Sequence, residues 1–111
     1  MATLKPGDVV VADFPGITGV KRRPAVVVST SSYHRYRPDA ILGAITTNLP
    51  AANTSADHIL TDWAAEGLRH PSAFRTFLVT LPQKDILAVI GHLSNTDWTA
   101  VRNCLRRAIS V

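Results

Sequence analysis

Gly7-Asp-Val-Val-Val-Ala-Asp-Phe-Pro15, a connection over Gly16–Arg22, and Arg23-Pro-Ala-Val-Val-Val-Ser-Thr30 are the stretch on which the fold turns. Two apolar, β-branched runs, Val9–Phe14 and Ala25–Thr30, flank a glycine-containing segment, the pattern of a hairpin with a long loop. Ala25–Val28 is apolar at four successive positions, so both faces of that strand are expected to be buried. Arg23 stands at its mouth, directly before Pro24. A residue before proline is held extended, which presets the direction of Arg23; strand alternation points Arg22 the other way. A permanently charged planar fork held in a fixed direction suits phosphate recognition. Lys21 and Arg22, taken alone, read as a solvated loop tip.

Downstream, Ser31–Pro38 (Ser-Ser-Tyr-His-Arg-Tyr-Arg-Pro) reads as a polar, aromatic loop. Tyr33 and Arg35 belong to an alternation of π-faces and cations found on single-strand-binding surfaces; the other reading is tyrosines packed on a barrel edge. A third strand runs through Asp39–Asn48, with Gly43 marking a bulge or a bend where another backbone comes close and Thr46-Thr47-Asn48 at its end. A turn at Ala51–Ser55, a short strand at His58–Thr61 and a helical turn at Asp62–Gly67 follow. Ser72–Thr80 is a fifth strand, in which Arg75 shares a face with Ala73, Phe77 and Val79 and needs water or a partner such as Asp13. Leu81-Pro82 breaks it, and Ile86–Leu93 is the last strand. Ser94-Asn-Thr-Asp97 resembles a capping box, and Trp98, Val101, Leu105 and Ile109 follow at helical spacing. Arg102, Arg106 and Arg107 read as a solvated face favoured by the helix dipole. Five or six short strands and one C-terminal helix predict a mainly β chain: one domain over 1–111, a small bent barrel capped by the helix.

The chain has 111 residues, 46% hydrophobic and 18% charged, with a formal net charge of +4. A domain of this size has one modest core and little volume for an enclosed cofactor, so no cofactor is expected and a surface site, completed or not by a second subunit, is. The basic balance favours a polyanion, since neutralising phosphates releases counterions. The single Cys104 excludes an internal disulfide and reads as a buried small hydrophobe. No apolar run reaches the roughly 20 residues that span a bilayer, and Met1–Asp8 has no signal-peptide core. No membrane association and a cytoplasmic location are expected.

Several blocks carry a family likeness. Gly7-Asp8-Val9-Val10 through Asp13-Phe14-Pro15, then Lys21-Arg22-Arg23-Pro24-Ala25-Val26-Val27-Val28-Ser29, resemble the opening of the MazF/PemK toxins. Ile45-Thr46 resembles that family's strand end, Gly67-Leu68…Pro71-Ser72…Arg75 its glycine-leucine, proline-serine and arginine segment, and Gly91-His92-Leu93-Ser94 the approach to its last helix. The resemblance implies an SH3-like barrel and an endoribonuclease toxin of a type II toxin–antitoxin module. It places Arg23 and Thr46 at the scissile phosphate with Arg75 close by, and Lys21, Arg22, Thr47, Asn48, Tyr33 and Arg35 as candidate RNA contacts. It also implies single-stranded RNA as substrate, a homodimer, a cognate antitoxin with an acidic tail, and promoter DNA reached through the antitoxin complex.

The residues themselves narrow the chemistry. No phosphate-cradling glycine loop or dinucleotide fingerprint is present. His34, His58, His70 and His92 are scattered without ligand spacing, and carboxylates do not cluster in sequence, which disfavours zinc and two-metal chemistry. Metal-independent RNA cleavage fits, because the ribose 2′-OH supplies the nucleophile and arginines stabilise the phosphorane. Arginine is a poor proton acceptor. Some family members carry an acid where this chain has Phe77, which leaves His34 and His58 as candidate bases. The rival is a noncatalytic SH3-like barrel that binds nucleic acid or a protein.

Overall fold

In the computed structural model, residues 3–16 and 19–111 are described. Six strands form one antiparallel sheet: β1 (Asp8–Gly16), β2 (Gly19–Val27), β3 (Asp39–Thr46), β4 (Asp57–Ile59), β5 (Ala73–Pro82) and β6 (Ile86–His92). A six-residue helix α1 (Ser31–Tyr36) joins β2 to β3, and α2 (Asn95–Ala108) closes the chain. The strand order is β4-β5-β3-β2-β1-β6. The sheet is mainly β with a C-terminal helix, as expected, but it is not closed into a barrel: β4 and β6 are its two edges.

The central strands bury both faces, as their continuous apolar runs predict. Val10, Ala12, Phe14, Ala25, Val27 and Leu42 build one core with Leu4, Ala40 and Ala44. Val9, Val26, Ile45 and Phe74 face the other way and meet Val101 and Cys104 of α2. Each fully buried valine contributes about 1.5–3 kcal/mol of transfer free energy. Cys104 is 2% exposed, and burial pushes its thiol pKa up, so it packs as the small hydrophobe expected.

Four local readings are corrected. The long loop over Gly16–Arg22 is mostly ribbon: β1 and β2 stay paired through Asp13↔Arg22, Phe14↔Lys21 and Gly16↔Gly19, while Ile17 and Thr18 lie outside the described residues. Charges read as loop because this arm projects beyond the core, so Lys21 and Arg22 are solvated while their backbone stays in the ladder. The expected loop at Ser31–Pro38 holds α1, capped by Thr30, whose Oγ1 accepts from Tyr33 N–H at 3.1 Å; it buries no residue and so has no apolar period to read. Pro82 ends β5 rather than breaking it before Leu81. At α2, Ser94 Oγ accepts from Asp97 N–H at 3.2 Å, but the reciprocal bond of a capping box comes from elsewhere: Ser94 N–H donates to Glu66 Oε2 at 2.8 Å.

Gly43 marks a bulge, and what comes close to it is an aromatic side chain rather than another backbone. A Cβ there would stand 2.3 Å from Phe74 Cε1. The β3–β5 register jumps from Gly43↔Leu78 to Ile45↔Phe74, which leaves Arg75, Thr76 and Phe77 against Ala44 alone. Bulges bend a strand and re-aim its side chains, and this one lies at Arg75.

Candidate active site

The cleft beside the arginines follows from Pro24. Val28 N–H donates to Ile41 O of β3; neighbouring strand residues alternate direction, so the nitrogen of Pro24 also faces β3. Proline has no N–H to give, and the β2–β3 pairing stops at Ala25↔Ala44. Beyond that point the two strands part. The space between them is a cleft of about 570 Å³ lined by Lys21, Arg22, Arg23, Pro24, Ile45, Thr46, Thr47, Asn48, Ala51 and Arg75. It unites Arg23, Thr46 and Arg75 with Lys21, Arg22, Thr47 and Asn48.

The lining is one-sided in charge. Four cations converge, and among the lining residues there is neither a carboxylate nor a histidine. Arg23 is half-buried and Arg75 exposed, so Arg75 is solvated and needs no ion partner. Asp13 is taken by Arg22 instead, whose Nε donates to Oδ1 at 3.1 Å; that bond holds the Arg22 pKa above its ordinary value. Thr46 Oγ1 accepts from Asn48 N–H at 3.0 Å, which locks the strand end and leaves the hydroxyl proton free to donate. A cleft with fork-shaped donors, a hydroxyl and no negative charge suits a phosphodiester.

Other candidates fall elsewhere. Arg35 lines a second cavity, of about 640 Å³, together with Leu4, His34, Gln83 and Ile86. Tyr33 sits on α1 with its ring edge-on to His34. His34 is committed to Ser29 Oγ at 2.5 Å and to Leu4 O at 3.1 Å. His58 Nε2 lies 2.8 Å from Asp97 Oδ1. Neither histidine reaches the cleft, so both fail as bases for it. Phe77, 49% exposed, is also outside the lining. Pro24 acts through its missing N–H, a role its place in the sequence announces only once the direction of β2 is known.

A family model described as "PemK-like, MazF-like toxin of type II toxin-antitoxin system" matches residues 5–109. The chain belongs to this family. MazF/PemK toxins are endoribonucleases. Among solved structures, an endoribonuclease in complex with its cognate antitoxin from a mycobacterial species superposes with a TM-score of 0.78 at 16% identity, covering 95% of this chain and 93% of that one. The Mycobacterium tuberculosis toxin MazF-mt6 gives 0.75 at 19% identity over 91% and 94%. MazF from Deinococcus radiodurans gives 0.78 at 16% identity over 100% of both. These likenesses establish a MazF-type fold. No curated protein matches the chain. Among the described residues no helix is long and apolar enough to cross a membrane.

Proposed function

We propose that this toxin is a sequence-specific endoribonuclease that cleaves single-stranded RNA, chiefly mRNA, without a metal ion, at the cleft between β2 and β3. The observation that carries the reading is the convergence of Arg23, Thr46 and Arg75, drawn from three strands, on one cationic cleft whose lining holds no carboxylate. The 2′-oxygen attacks the adjacent phosphorus, the P–O5′ bond breaks, the 2′-OH proton is lost and O5′ gains one. The products are a 2′,3′-cyclic phosphate and a 5′-hydroxyl. Arg23 and Arg75 hold the two non-bridging phosphorane oxygens by paired N–H donors, and Thr46 O–H donates to one of them. Lys21, Arg22, Thr47 and Asn48 line the path of the flanking nucleotides, and unstacked bases are read there. Tyr33 and Arg35, on α1, stand apart from that path.

Metal independence is supported by the donor set, since nothing in the lining is a carboxylate or imidazole ligand. The same chemistry favours an acidic antitoxin segment laid over the cleft, as complementary charge speeds association. A homodimer, a cytoplasmic setting and promoter DNA reached through the antitoxin complex complete the proposal. One observation favours a second reading, a noncatalytic RNA- or protein-binding sheet: the lining offers no proton acceptor that works at neutral pH.

The deciding experiment incubates purified protein with mixed-sequence single-stranded RNA in excess EDTA and maps the ends. Discrete fragments with 5′-hydroxyl ends support the proposal. Intact RNA, retained by folded protein, supports the noncatalytic reading; cleavage only after magnesium is added contradicts metal independence.

A further inference from the structure

Away from the cleft, the turn after β4, the end of β6 and the first turn of α2 meet around two carboxyls. Glu66 and Asp97 are 1% and 0% exposed, and oxygens of Asp62, Glu66 and Asp97 lie within 4.8 Å of one another. Asp97 is rich in donors. Its Oδ1 accepts from Thr61 N–H at 2.9 Å and faces His58 Nε2, and its Oδ2 accepts from Asp62 N–H at 3.0 Å. Glu66 Oε2 accepts from Ser94 N–H, but Glu66 Oε1 is buried with no partner among the described residues. A buried carboxylate oxygen without a donor is costly, and a second carboxylate this near adds repulsion. A proton removes both penalties.

We propose that Glu66 is protonated and shares its proton with Asp97, forming an acid pair that clamps the turn after β4 to α2 and loosens as pH rises through neutrality. The titratable groups beside Glu66 are Asp97 on α2 and Asp62 in the turn after β4, and His58 on β4 faces Asp97 from the other side of the pair. Burial first, then the nearby Asp97, raises Glu66 from 4.5 to about 7. Burial alone would raise Asp97 as well, but the Thr61 and Asp62 amides, with Glu66 and His58, bring it down to about 2. Between 4.5 and about 7 the folded chain keeps a proton that the unfolded chain releases, so stability falls as pH rises across that window and levels beyond it. Asp97 acts oppositely and lower: its contribution is present above 3.8 and fades as pH falls towards 2. The clamp also anchors β4, whose Asp57 pairs in register with Arg75 at the cleft.

Glu66 is the sole glutamate of the chain, which makes the test direct. Carboxyl-carbon NMR of glutamate-labelled protein reads this one group in the intact wild type. The expected result is titration near neutral pH; titration in the ordinary glutamate range overturns the proposal. Denaturant unfolding from pH 5 to 8 is the companion measurement. The wild-type folding constant is expected to fall by on the order of 10²-fold, and Glu66→Gln to lose most of that dependence; an unchanged dependence overturns the proposal. If Glu66→Gln fails to fold, the wild-type NMR titration decides alone. Stabilisation of the wild type by magnesium at pH 8, absent in Glu66→Gln, would put a cation where the proton is proposed and also overturns it.

Discussion

Thr46 and Arg23 show how little of a side chain's use is set by its type. Thr46 closes a strand end by accepting from Asn48 N–H, and that bond leaves its O–H as the donor facing the cleft. Thr46→Ser keeps both bonds and is expected to retain most cleavage. Thr46→Val loses both the donor and the bond from Asn48 N–H, and is expected to cost at least on the order of 10²-fold in single-turnover rate, the loss typical of one transition-state donor. Equal rates in Ser and Val variants would remove the hydroxyl from the mechanism. Arg23 was readable from sequence because Pro24 fixes the backbone beside it. The engagement of His58 with Asp97 was not readable, since the two stand on elements far apart in the chain, and that of His34 with Ser29, only five positions away, depends on α1, which reads as loop in the sequence.

Strands were readable where burial imposes a pattern and not where it stops. The valine runs of β1 and β2 declare two buried faces, whereas the basic half of β2 looks like loop and α1 buries nothing. Gly43 and Phe74 illustrate the element best, because the bulge that isolates Arg75–Phe77 depends on a ring filling the space of an absent Cβ. Gly43→Ala is expected to destabilise by about 1–3 kcal/mol through overpacking, and Phe74→Ala by about 3–5 kcal/mol through the cavity left behind, both read by denaturant unfolding. Because the bulge re-aims Arg75, Gly43→Ala is also expected to slow cleavage; a slowed variant of undiminished stability would refute the packing argument. The cap of α2 gives a smaller effect: Ser94→Ala is expected to cost about 1 kcal/mol.

Across the molecule, four of the twelve Lys and Arg residues meet in one cleft, which a net charge of +4 does not foretell. Binding of a noncleavable single strand should therefore weaken with salt, by a slope of about 0.7 for each phosphate held. Arg75→Ala is expected to lower that slope by about 0.7, and Arg102→Ala, stacked over Trp98 at 5.9 Å on α2, to leave it unchanged. The sheet's mainly β character and its helix were legible from periodicity. Its failure to close was not, because closure depends on the twist accumulated over six strands rather than on any residue pattern. The central claim is that the cleft at Arg23 breaks RNA, and single-turnover cleavage in excess EDTA by Arg23→Ala tests it most directly, with Arg102→Ala prepared alongside. The account predicts a loss of at least about 10²-fold for Arg23→Ala with its melting curve preserved and a normal rate for Arg102→Ala. A folded Arg23→Ala that cuts at the wild-type rate would contradict it.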